Sequence, residues 1–268
     1  MSLSNRVAAN LPYLRRYARA LTGSQTNGDN FARATLQASL EDPALKSMLE
    51  EGRAGLYRAF TIVWTKTRDD TGLHGQTAEQ QGSAHEVAAR GRLNAITPLN
   101  RQALLLTTLE EFSPEQAAEI LGVSSEDISE LVQDAIGEID HESATDVLII
   151  EDEPLISMQL EELVRGLGHT ICGTAATRTQ AQEIVATTSP GLVLADIQLA
   201  DGSSGLDAVD DILAIGSVPV IFITAYPERL LTGDRQEPTY LVTKPFQEKT
   251  VRAAISQALF FKSSSPIR

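Results

Sequence analysis

Apolar residues recur with the spacing of an α-helix through the first half of this chain. The first such face consists of Leu11, Leu14, Tyr17 and Leu21. Residues 54–64 form another, and helical spacing resumes over 86–140 after a connection at 69–85 that is rich in Gly, Gln and Thr. Strand-like alternation is missing from residues 1–66. The pattern therefore predicts an all-α region made of two lobes and a flexible connection.

After a polar stretch at 141–146, short apolar runs alternate with helical segments. The runs cover 147–150, 171–175, 192–195, 218–224 and 240–242. The helices are predicted at 155–167, 179–187, 205–215, 227–231 and 247–261. Strands that alternate with helices form parallel sheets. We therefore expect an α-helical domain at 1–140, a linker at 141–146, and at 147–268 a flavodoxin-like, doubly wound α/β domain with a five-stranded parallel sheet.

Residues 112–139 have the pattern of a helix-turn-helix. The first helix starts with residues suited to its N-cap, N1 and N3 positions, Ser113, Pro114 and Gln116. Gly122 marks the turn, and Ser124 or Ser125 caps the second helix. The apolar stripe of that helix consists of Ile128, Leu131, Val132, Ala135, Ile136 and Ile139. Its opposite side, here called the acidic face, consists of Glu126, Asp127, Glu130, Asp134 and Glu138.

The charge of this motif argues against DNA binding. No Lys or Arg occurs from Gln102 to Val164, and residues 101–146 contain one basic side chain, Arg101, against twelve Asp and Glu. Contacts of Lys and Arg with phosphates supply most non-specific DNA affinity, so this surface would repel a duplex. A helix-turn-helix whose surface charge is opposite to that of a DNA-binding surface indicates mimicry of a DNA-binding protein. The alternative is that the acidic face is a solvated helix surface in an acidic protein.

Composition narrows the class of protein further. The 268 residues carry a net charge of −14 at pH 7, with −8 in residues 1–146 and −6 in the remainder, so neither half resembles a binder of nucleic acid or anionic membrane. The single cysteine, Cys172, is expected to be a buried thiol in a reducing cytosol. No apolar run approaches the ~20 residues that span a bilayer. We expect a cytoplasmic protein of two domains.

Chemically reactive side chains stand where the predicted strands end. They are Glu151, Asp152, Asp196, Thr224 and Lys244. Three carboxylates at neighbouring strand ends repel one another unless a hard cation neutralises them, and Mg²⁺ binds carboxylates together with water and phosphate oxygens. An aspartate beside Mg²⁺ can attack a phosphoryl donor, while Lys and Thr stabilise the transferred oxygens. The sequence therefore predicts a phosphoryl-acceptor site with Mg²⁺ as cofactor.

Four ordered motifs resemble those of a response-regulator receiver domain. They are Ile150-Glu151-Asp152-Glu153-Pro154, Leu194-Ala195-Asp196-Ile197, Ile223-Thr224-Ala225 and Thr243-Lys244-Pro245-Phe246. The resemblance, which covers about 146–261, implies that Asp196 accepts phosphate from a histidine kinase. It also implies Mg²⁺ ligands, namely Glu151, Asp152, Asp196 and the backbone carbonyl of Gln198. Thr224 and Lys244 would then bind the phosphoryl group.

The aromatic switch position departs from the usual receiver pattern. Receivers often carry an aromatic residue three positions before the lysine, where this chain has Leu241 with Tyr240 one earlier. Tyr226 stands two positions after Thr224, which resembles a receiver subgroup with an aromatic there. Tyr226 is therefore a candidate switch aromatic, with simple packing as the alternative.

The helical half resembles extracytoplasmic-function sigma factors. Residues 11–23 resemble the opening of sigma region 2, and 99–122 resemble region 4, so the region-2-like part covers about 1–68 and the region-4-like part about 86–140. Where sigma recognition helices carry basic or polar groups, this chain has Ser129, Leu131, Gln133, Asp134 and Ile136. In the first helix we expect solvated charges, with partner contact as the alternative, at Arg15, Arg16 and Arg19.

A sigma-like region placed before a receiver resembles the PhyR-type general stress regulators of alphaproteobacteria. The resemblance implies an anti-anti-sigma factor: phosphorylation at Asp196 exposes the sigma-like domain, which sequesters a NepR-type anti-sigma factor and releases the real sigma factor. Such a decoy must keep the shape of a sigma factor but not its DNA-reading charges. No enzyme activity is expected beyond the receiver's own phosphoryl transfer and dephosphorylation.

Two other functions are compatible with the sequence. The first is a DNA-binding response regulator or active sigma factor that the receiver gates, which the absence of basic residues on the recognition helix opposes. The second is a phosphate sink or aspartyl-phosphate hydrolase whose helical half is structural. A partner of residues 1–140 would argue against the second.

Overall fold

The computed structural model describes residues 2–70, 99–139, 144–199, 202, 204–215, 218–227 and 238–263. The chain divides into two compact units, Met1–Gln133 and Asp134–Arg268. Most of the connection predicted at 69–85, and residues 228–231 of the predicted short helix, lie outside the described residues. Residues 69 and 70 are helical, so the helix before the connection is longer than its apolar pattern indicated.

The first unit is built from α-helices, as predicted. They are α1 (Leu3–Thr22), α2 (Gln25–Glu41), α3 (Pro43–Glu50), α4 (Arg53–Asp70), α5 (Leu99–Thr108), α6 (Pro114–Leu121) and α7 (Ser125–Ile139). The last of these crosses into the second unit. Ser2, Ser24 and Asp42 each accept a backbone N–H at the start of a helix, where that group has no partner inside the helix. Gly23 ends α1 in the left-handed conformation, with φ 61°.

The apolar faces predicted in α1 and α4 meet in one core. The ring of Tyr17 packs against Tyr57 and Phe60, with centroid distances of 5.3 and 5.8 Å. The backbones of helices α1 and α2 lie close together at Gly28, where a Cβ atom would lie 2.5 Å from the backbone nitrogen of Arg19. Only glycine therefore fits between these two backbones without a shift.

The helix-turn-helix predicted at 112–139 is present as α6 and α7. Ser113 Oγ accepts the N–H of Gln116, whose side chain accepts the N–H of Ser113 in return, and α6 ends at Gly122 with φ 70°. Of the two serines predicted as caps of the second helix, Ser124 fills the role. Its Oγ accepts the N–H of Asp127 at 3.1 Å, and the Asp127 carboxylate accepts the N–H of Ser124 at 3.0 Å. Local sequence signals thus define both helix starts.

The second unit contains the predicted five-stranded parallel sheet. In the order β2-β1-β3-β4-β5 its strands are β1 (Asp146–Ile150), β2 (Thr170–Ala175), β3 (Leu192–Ala195), β4 (Val220–Thr224) and β5 (Tyr240–Thr243). The helices are α8 (Pro154–Gly166), α9 (Arg178–Val185), α10 (Gly205–Ile215) and α11 (Glu248–Ser263). These bounds differ from the predicted ones by no more than two residues.

The central strands contain apolar runs because helices pack on the sheet. Residues of α9 and α10 form a core with Leu148 and Val193 of the sheet, and α8 and α11 pack on the strands as well. Every residue of β3 is buried, so this strand has no polar side. The strand order reverses between β1 and β3, and in sheets of this kind the functional groups lie at the carboxyl ends beside that point.

Candidate functional site

The side chains predicted at the strand ends come together at one edge of the sheet. Glu151 and Asp152 follow β1 directly, Asp196 follows β3, Thr224 is the last residue of β4, and Lys244 follows β5. Because these four strands are neighbours in that order, their carboxyl ends meet. We refer to Glu151, Asp152, Asp196 and Lys244 as the carboxylate–lysine cluster.

Lys244 lies at the centre of this cluster. Its Nζ is 2.7 Å from Asp196 Oδ2, 2.8 Å from Glu151 Oε2 and 3.5 Å from Glu153 Oε1. The side chains of Lys244, Glu151 and Asp196 are all less than one-tenth exposed. Burial by itself would lower the pKa of Lys244, but the carboxylates of Asp196 and Glu151 outweigh burial and raise that pKa. Lys244 is therefore held as a cation between two buried carboxylates.

The loops after the strands fold back onto the functional side chains. Asp196, Glu151 and Thr224 each accept the N–H of the residue two positions further on, at 3.2, 3.2 and 3.1 Å. Gln198 supplies this N–H to Asp196 Oδ1, and Tyr226 supplies it to Thr224 Oγ1. Both oxygens of Asp196 are thus bound, one by the backbone and one by Lys244.

The three carboxylates suit a hard divalent cation. Glu151, Asp152 and Asp196 each offer one oxygen, and the three oxygens lie within 4.8 Å of one another. In octahedral Mg²⁺ coordination adjacent oxygen ligands are about 3 Å apart and opposite ones about 4.2 Å, so the carboxylates would draw closer together on binding the ion. Glu151 Oε2 is buried, and its ion-pair partner Lys244 Nζ lies 2.8 Å from it. Burial raises the pKa of Glu151 although Lys244 acts in the opposite direction, and a bound cation would favour the charged form.

Two residues of the site were not predicted from the sequence. At Gly205, the first residue of α10, a Cβ atom would lie 1.7 Å from the carbonyl oxygen of Asp196. A glycine opening a predicted helix was the available signal, because glycine is a poor helix former. Glu153, which faces Lys244, gave no such signal, since an exposed acidic residue beside two others reads as a solvated charge.

The aromatic residues near the site divide into a buried one and an exposed one. Tyr240 is buried, and its hydroxyl donates to the carbonyl of Gln257 at 3.4 Å. Leu241, at the position three before Lys244, is also buried. Tyr226 is 43% exposed, so its ring is only partly packed against the domain.

The ion pairs of the first unit include two clusters with buried arginines, and one of them lies between α1 and α2. Asp29 accepts two hydrogen bonds of 2.8 Å from Arg19 and two of 3.2 and 3.0 Å from Arg15. Arg19 is 0% exposed and Arg16 is 5% exposed. The prediction of solvated or partner-binding charges is therefore wrong for both, because α1 is buried over more of its circumference than its apolar stripe shows.

The second cluster surrounds a buried glutamate and consists of Glu110, Arg16, Arg53 and Tyr57. Glu110 Oε1 accepts from Arg16 Nε at 3.0 Å, and Oε2 accepts from Arg53 Nη2 and the Tyr57 hydroxyl, each at 2.7 Å. Arg16 Nη2 also donates to the carbonyl of Leu109 at 3.0 Å. This group is here called the interlobe ion cluster, because it joins α1 and α4 to the turn after α5.

Helix α7 has the acidic face that the sequence predicted. The five exposed acidic residues are Glu126, Asp127, Glu130, Asp134 and Glu138. On the opposite side Ile128 and Ala135 are buried, and Leu131, Val132 and Ile136 are partly buried. The side chain of Ile139 lies outside the described residues. The surface that a DNA reader would turn toward phosphates is negatively charged here.

Known proteins match this chain along nearly its whole length. Residues 7–61 match the sigma2 domain of PhyR, residues 93–142 match the sigma-like domain of the response regulator PhyR, and residues 147–256 match the response regulator receiver domain. The phyllosphere-induced regulator PhyR of Methylorubrum extorquens is 52% identical over 266 residues, which are 99% of this chain and 97% of that protein.

Two crystal structures of similar proteins cover both units. The response regulator PhyR from Brucella abortus is 46% identical with a TM-score of 0.82, over 98% of this chain and 96% of that one. The anti-anti-sigma factor PhyR from Bartonella quintana is 45% identical with a TM-score of 0.81, over 98% of this chain and 97% of that one.

Sigma-like helices placed before a receiver domain define the class as a response regulator rather than an enzyme family. Within that class, the identity along nearly the whole length shows that the chain belongs to the PhyR family. In the part of the chain that the structure describes, no helix has the length and apolar character needed to cross a membrane.

Proposed function

We propose that this chain is a phosphorylation-activated anti-anti-sigma factor. Phosphorylation of Asp196 exposes the sigma-like unit, which then sequesters a NepR-type anti-sigma factor in the cytosol and releases the real sigma factor for stress transcription. The proposal depends on one observation, the presence in a single chain of the carboxylate–lysine cluster and of a helix-turn-helix with an acidic face. The similar protein from Bartonella quintana is described as an anti-anti-sigma factor.

Asp196 is the proposed phosphoacceptor, and a phosphohistidine of a histidine kinase is the proposed donor. A carboxylate oxygen of Asp196 attacks the phosphorus, the phosphorus–nitrogen bond breaks, and its electron pair remains on the imidazole nitrogen. Lys244 holds Asp196 Oδ2 before transfer. As the bond forms, the Lys244 ammonium moves to the phosphoryl oxygens, where the negative charge now lies.

Glu151, Asp152 and Asp196, with the backbone carbonyl of Gln198, are the proposed ligands of Mg²⁺. When bound, the ion would supply positive charge that neutralises the carboxylates and offsets the negative charge of the phosphoryl group. The proximity of the three carboxylates and the burial of Glu151 Oε2 support this assignment. The receiver's own residues are proposed to catalyse both phosphoryl transfer and later dephosphorylation.

Thr224 and Lys244 are the proposed transducers of the phosphorylated state. Thr224 is 0% exposed, and its Oγ1 accepts the N–H of Tyr226. A movement of Thr224 Oγ1 toward the phosphoryl group would alter this hydrogen bond and so couple the site to Tyr226, the proposed switch aromatic. A ligand shifts an equilibrium only when it interacts differently with the two states, and bonds from Thr224 and Lys244 to phosphate provide that difference.

Calorimetric titration of the full-length protein with a NepR-type anti-sigma factor tests the proposal. Acetyl phosphate with Mg²⁺ should strengthen binding by the wild type and leave Asp196→Ala unchanged. Asp211→Asn is the matched control, because Asp211 is a carboxylate paired with Arg178 outside the cluster, and it should respond as the wild type does. Equal binding by the phosphorylated wild type and Asp196→Ala overturns the proposal.

The helix-turn-helix supports a second candidate, a DNA-binding response regulator or an active sigma factor. The acidic face of α7 opposes it, because a phosphate-binding surface needs Lys and Arg. A gel-shift titration with promoter DNA at low salt separates the two functions: we expect no retardation with or without phosphorylation. Retardation that weakens with added salt would favour the second candidate. Phosphorylation without binding to DNA or anti-sigma factor would favour a phosphate sink.

A further inference from the structure

The contact between the two lobes of the sigma-like unit includes one buried carboxylate, beside the ring contact of Tyr57 with Phe112 and the ion pair of Arg58 with Glu119. Helices α1–α4 form the region-2-like lobe and α5–α7 the region-4-like lobe. Glu110, which is 1% exposed, stands in the turn after α5 and belongs to the second lobe. Among the described residues, the side-chain partners of Glu110 belong to the first lobe: Arg16 of α1, and Arg53 and Tyr57 of α4. Each carboxylate oxygen thus binds a different helix of the other lobe.

The backbone around Glu110 is held in place from its own side as well. The N–H groups of Glu110 and Phe112 donate to the carbonyls of Leu105 and Leu106, both at 3.0 Å. Glu111 has a φ of 54°, a left-handed conformation that is uncommon for a residue other than glycine. The Arg53 guanidinium lies 4.4 Å from the Phe112 ring centroid. A strained residue next to a buried charge indicates that the surrounding contacts fix this turn.

The interlobe ion cluster is better suited to fixing the relative orientation of the two lobes than to raising the stability of the fold. Buried ion pairs cost nearly as much in lost hydration as they gain in attraction, so apolar side chains of similar size often stabilise a core equally well. Arg16, Arg53 and the Tyr57 hydroxyl all donate to Glu110, and only a carboxylate accepts at both of its ends. Directional bonds of this kind define one relative position of the lobes, which an apolar contact does not.

We infer that Glu110 is a positioning residue that holds the two lobes in the arrangement an anti-sigma factor recognises. The inference rests on the proposed function and extends it, because it states how the decoy surface is assembled. A recognition surface shared by two lobes is complete only while their arrangement is fixed. If other arrangements become populated, the apparent dissociation constant rises in inverse proportion to the competent fraction.

The chain contains a matched control for this residue. Asp29 of α2 also faces two arginines, Arg15 and Arg19, but both belong to α1 of the same lobe. Glu110→Gln and Asp29→Asn therefore each remove one carboxylate charge opposite two guanidinium groups. Only Glu110→Gln breaks a link between lobes, since its amide group would place a donor against donors.

The distance between the lobes can be measured directly in the full-length protein. Spin labels at Leu40→Cys and Ser129→Cys, both exposed and on different lobes, report it by pulsed EPR in a Cys172→Ser background. We expect one narrow distribution for the parent and for Asp29→Asn, and a broadened or shifted one for Glu110→Gln. An unchanged distribution in Glu110→Gln overturns the inference.

Binding to the anti-sigma factor is measured on unlabelled, phosphorylated protein. If the competent fraction falls to about a tenth, Glu110→Gln binds about tenfold more weakly, whereas Asp29→Asn binds as the wild type does. An equal loss in both variants overturns the inference, because general destabilisation would then explain it. If Glu110→Gln fails to fold, Arg53→Met, which removes one partly exposed partner, replaces it in both measurements. Failure of the wild type to bind in any state counts against the proposed function, and the EPR result still decides whether Glu110 fixes the lobes.

Discussion

The Lys244 ammonium lies 2.7 Å from Asp196 Oδ2, so the residue proposed to bind the phosphoryl group already holds the proposed acceptor. The same ammonium lies 2.8 Å from Glu151 Oε2. Two buried carboxylates this close together repel, and Lys244 offsets the repulsion. The cluster therefore depends on an internal cation until a metal ion or a phosphoryl group changes its charge balance.

Removal of the Lys244 charge should expose that dependence. Lys244→Met leaves two buried carboxylates without a cation, and we expect the free energy of unfolding to fall by about 3 kcal/mol at neutral pH. Mg²⁺ should restore stability more in this variant than in the wild type, which urea unfolding with and without Mg²⁺ measures. Lys249→Met, an exposed lysine in α11, is the control. An identical Mg²⁺ effect in wild type and Lys244→Met contradicts the expectation.

Binding of Mg²⁺ should weaken in mild acid. Burial raises the pKa of Glu151 above its usual 4.5 despite the neighbouring Lys244. A proton therefore competes with the metal ion at higher pH than for an exposed glutamate, and affinity should fall as pH decreases through the raised pKa. Calorimetric titration with Mg²⁺ across this range measures the effect. Glu151→Gln should bind more weakly with a flatter pH dependence, and an equally steep profile in that variant would rule Glu151 out as the source.

The ion pairs of Asp29 should contribute stability that is lost in acid. Burial alone would raise the pKa of Asp29, but hydrogen bonds and attraction from Arg19 and Arg15 outweigh it and place the pKa below 3.8. A lowered carboxyl pKa contributes stability that is full above the unfolded-state value and disappears as pH falls through the folded-state value.

Asp29→Asn should accordingly be less stable than the wild type at neutral pH, with a difference that narrows below pH 3.8. Urea unfolding over a series of pH values measures this difference. Glu130→Gln, on the exposed acidic face of α7, is the control for removal of a carboxylate. A constant difference between wild type and Asp29→Asn at every pH would show that the ion pairs do not cause it.

Two glycines in helices should respond in opposite directions to alanine. At Gly28 the new Cβ would lie 2.5 Å from the backbone of Arg19, so Gly28→Ala should lower the free energy of unfolding by about 2 kcal/mol. At Gly137 in α7 nothing lies within 4 Å of the added atom. Gly137→Ala should therefore raise the free energy of unfolding by about 1 kcal/mol, because alanine has a higher helix propensity than glycine. Thermal and urea unfolding measure both. If Gly28→Ala leaves the free energy of unfolding unchanged, α1 and α2 can move apart at little cost.

Much of the candidate site could be predicted because it stands at strand ends. The apolar runs before Glu151, Asp196 and Lys244 determine strands, and parallel strands end at a common edge. The approach of Gly205 to the Asp196 carbonyl was not predictable, since it depends on the path of a loop. The same holds for Glu153, whose contact with Lys244 depends on where β1 and β5 lie in the sheet.

The sequence by itself determined the secondary structure, because apolar periodicity and local caps such as Ser113 with Gln116 act within a few residues of one another. It also determined the charge of α7, which needs no partner to define it. Only the tertiary structure decided that Arg16 and Arg19 are buried, and that Glu110 joins the lobes. From sequence alone, a charged side chain is predicted to be exposed unless its partner is known. For Arg16 that partner lies 94 residues away, beyond the reach of any local pattern.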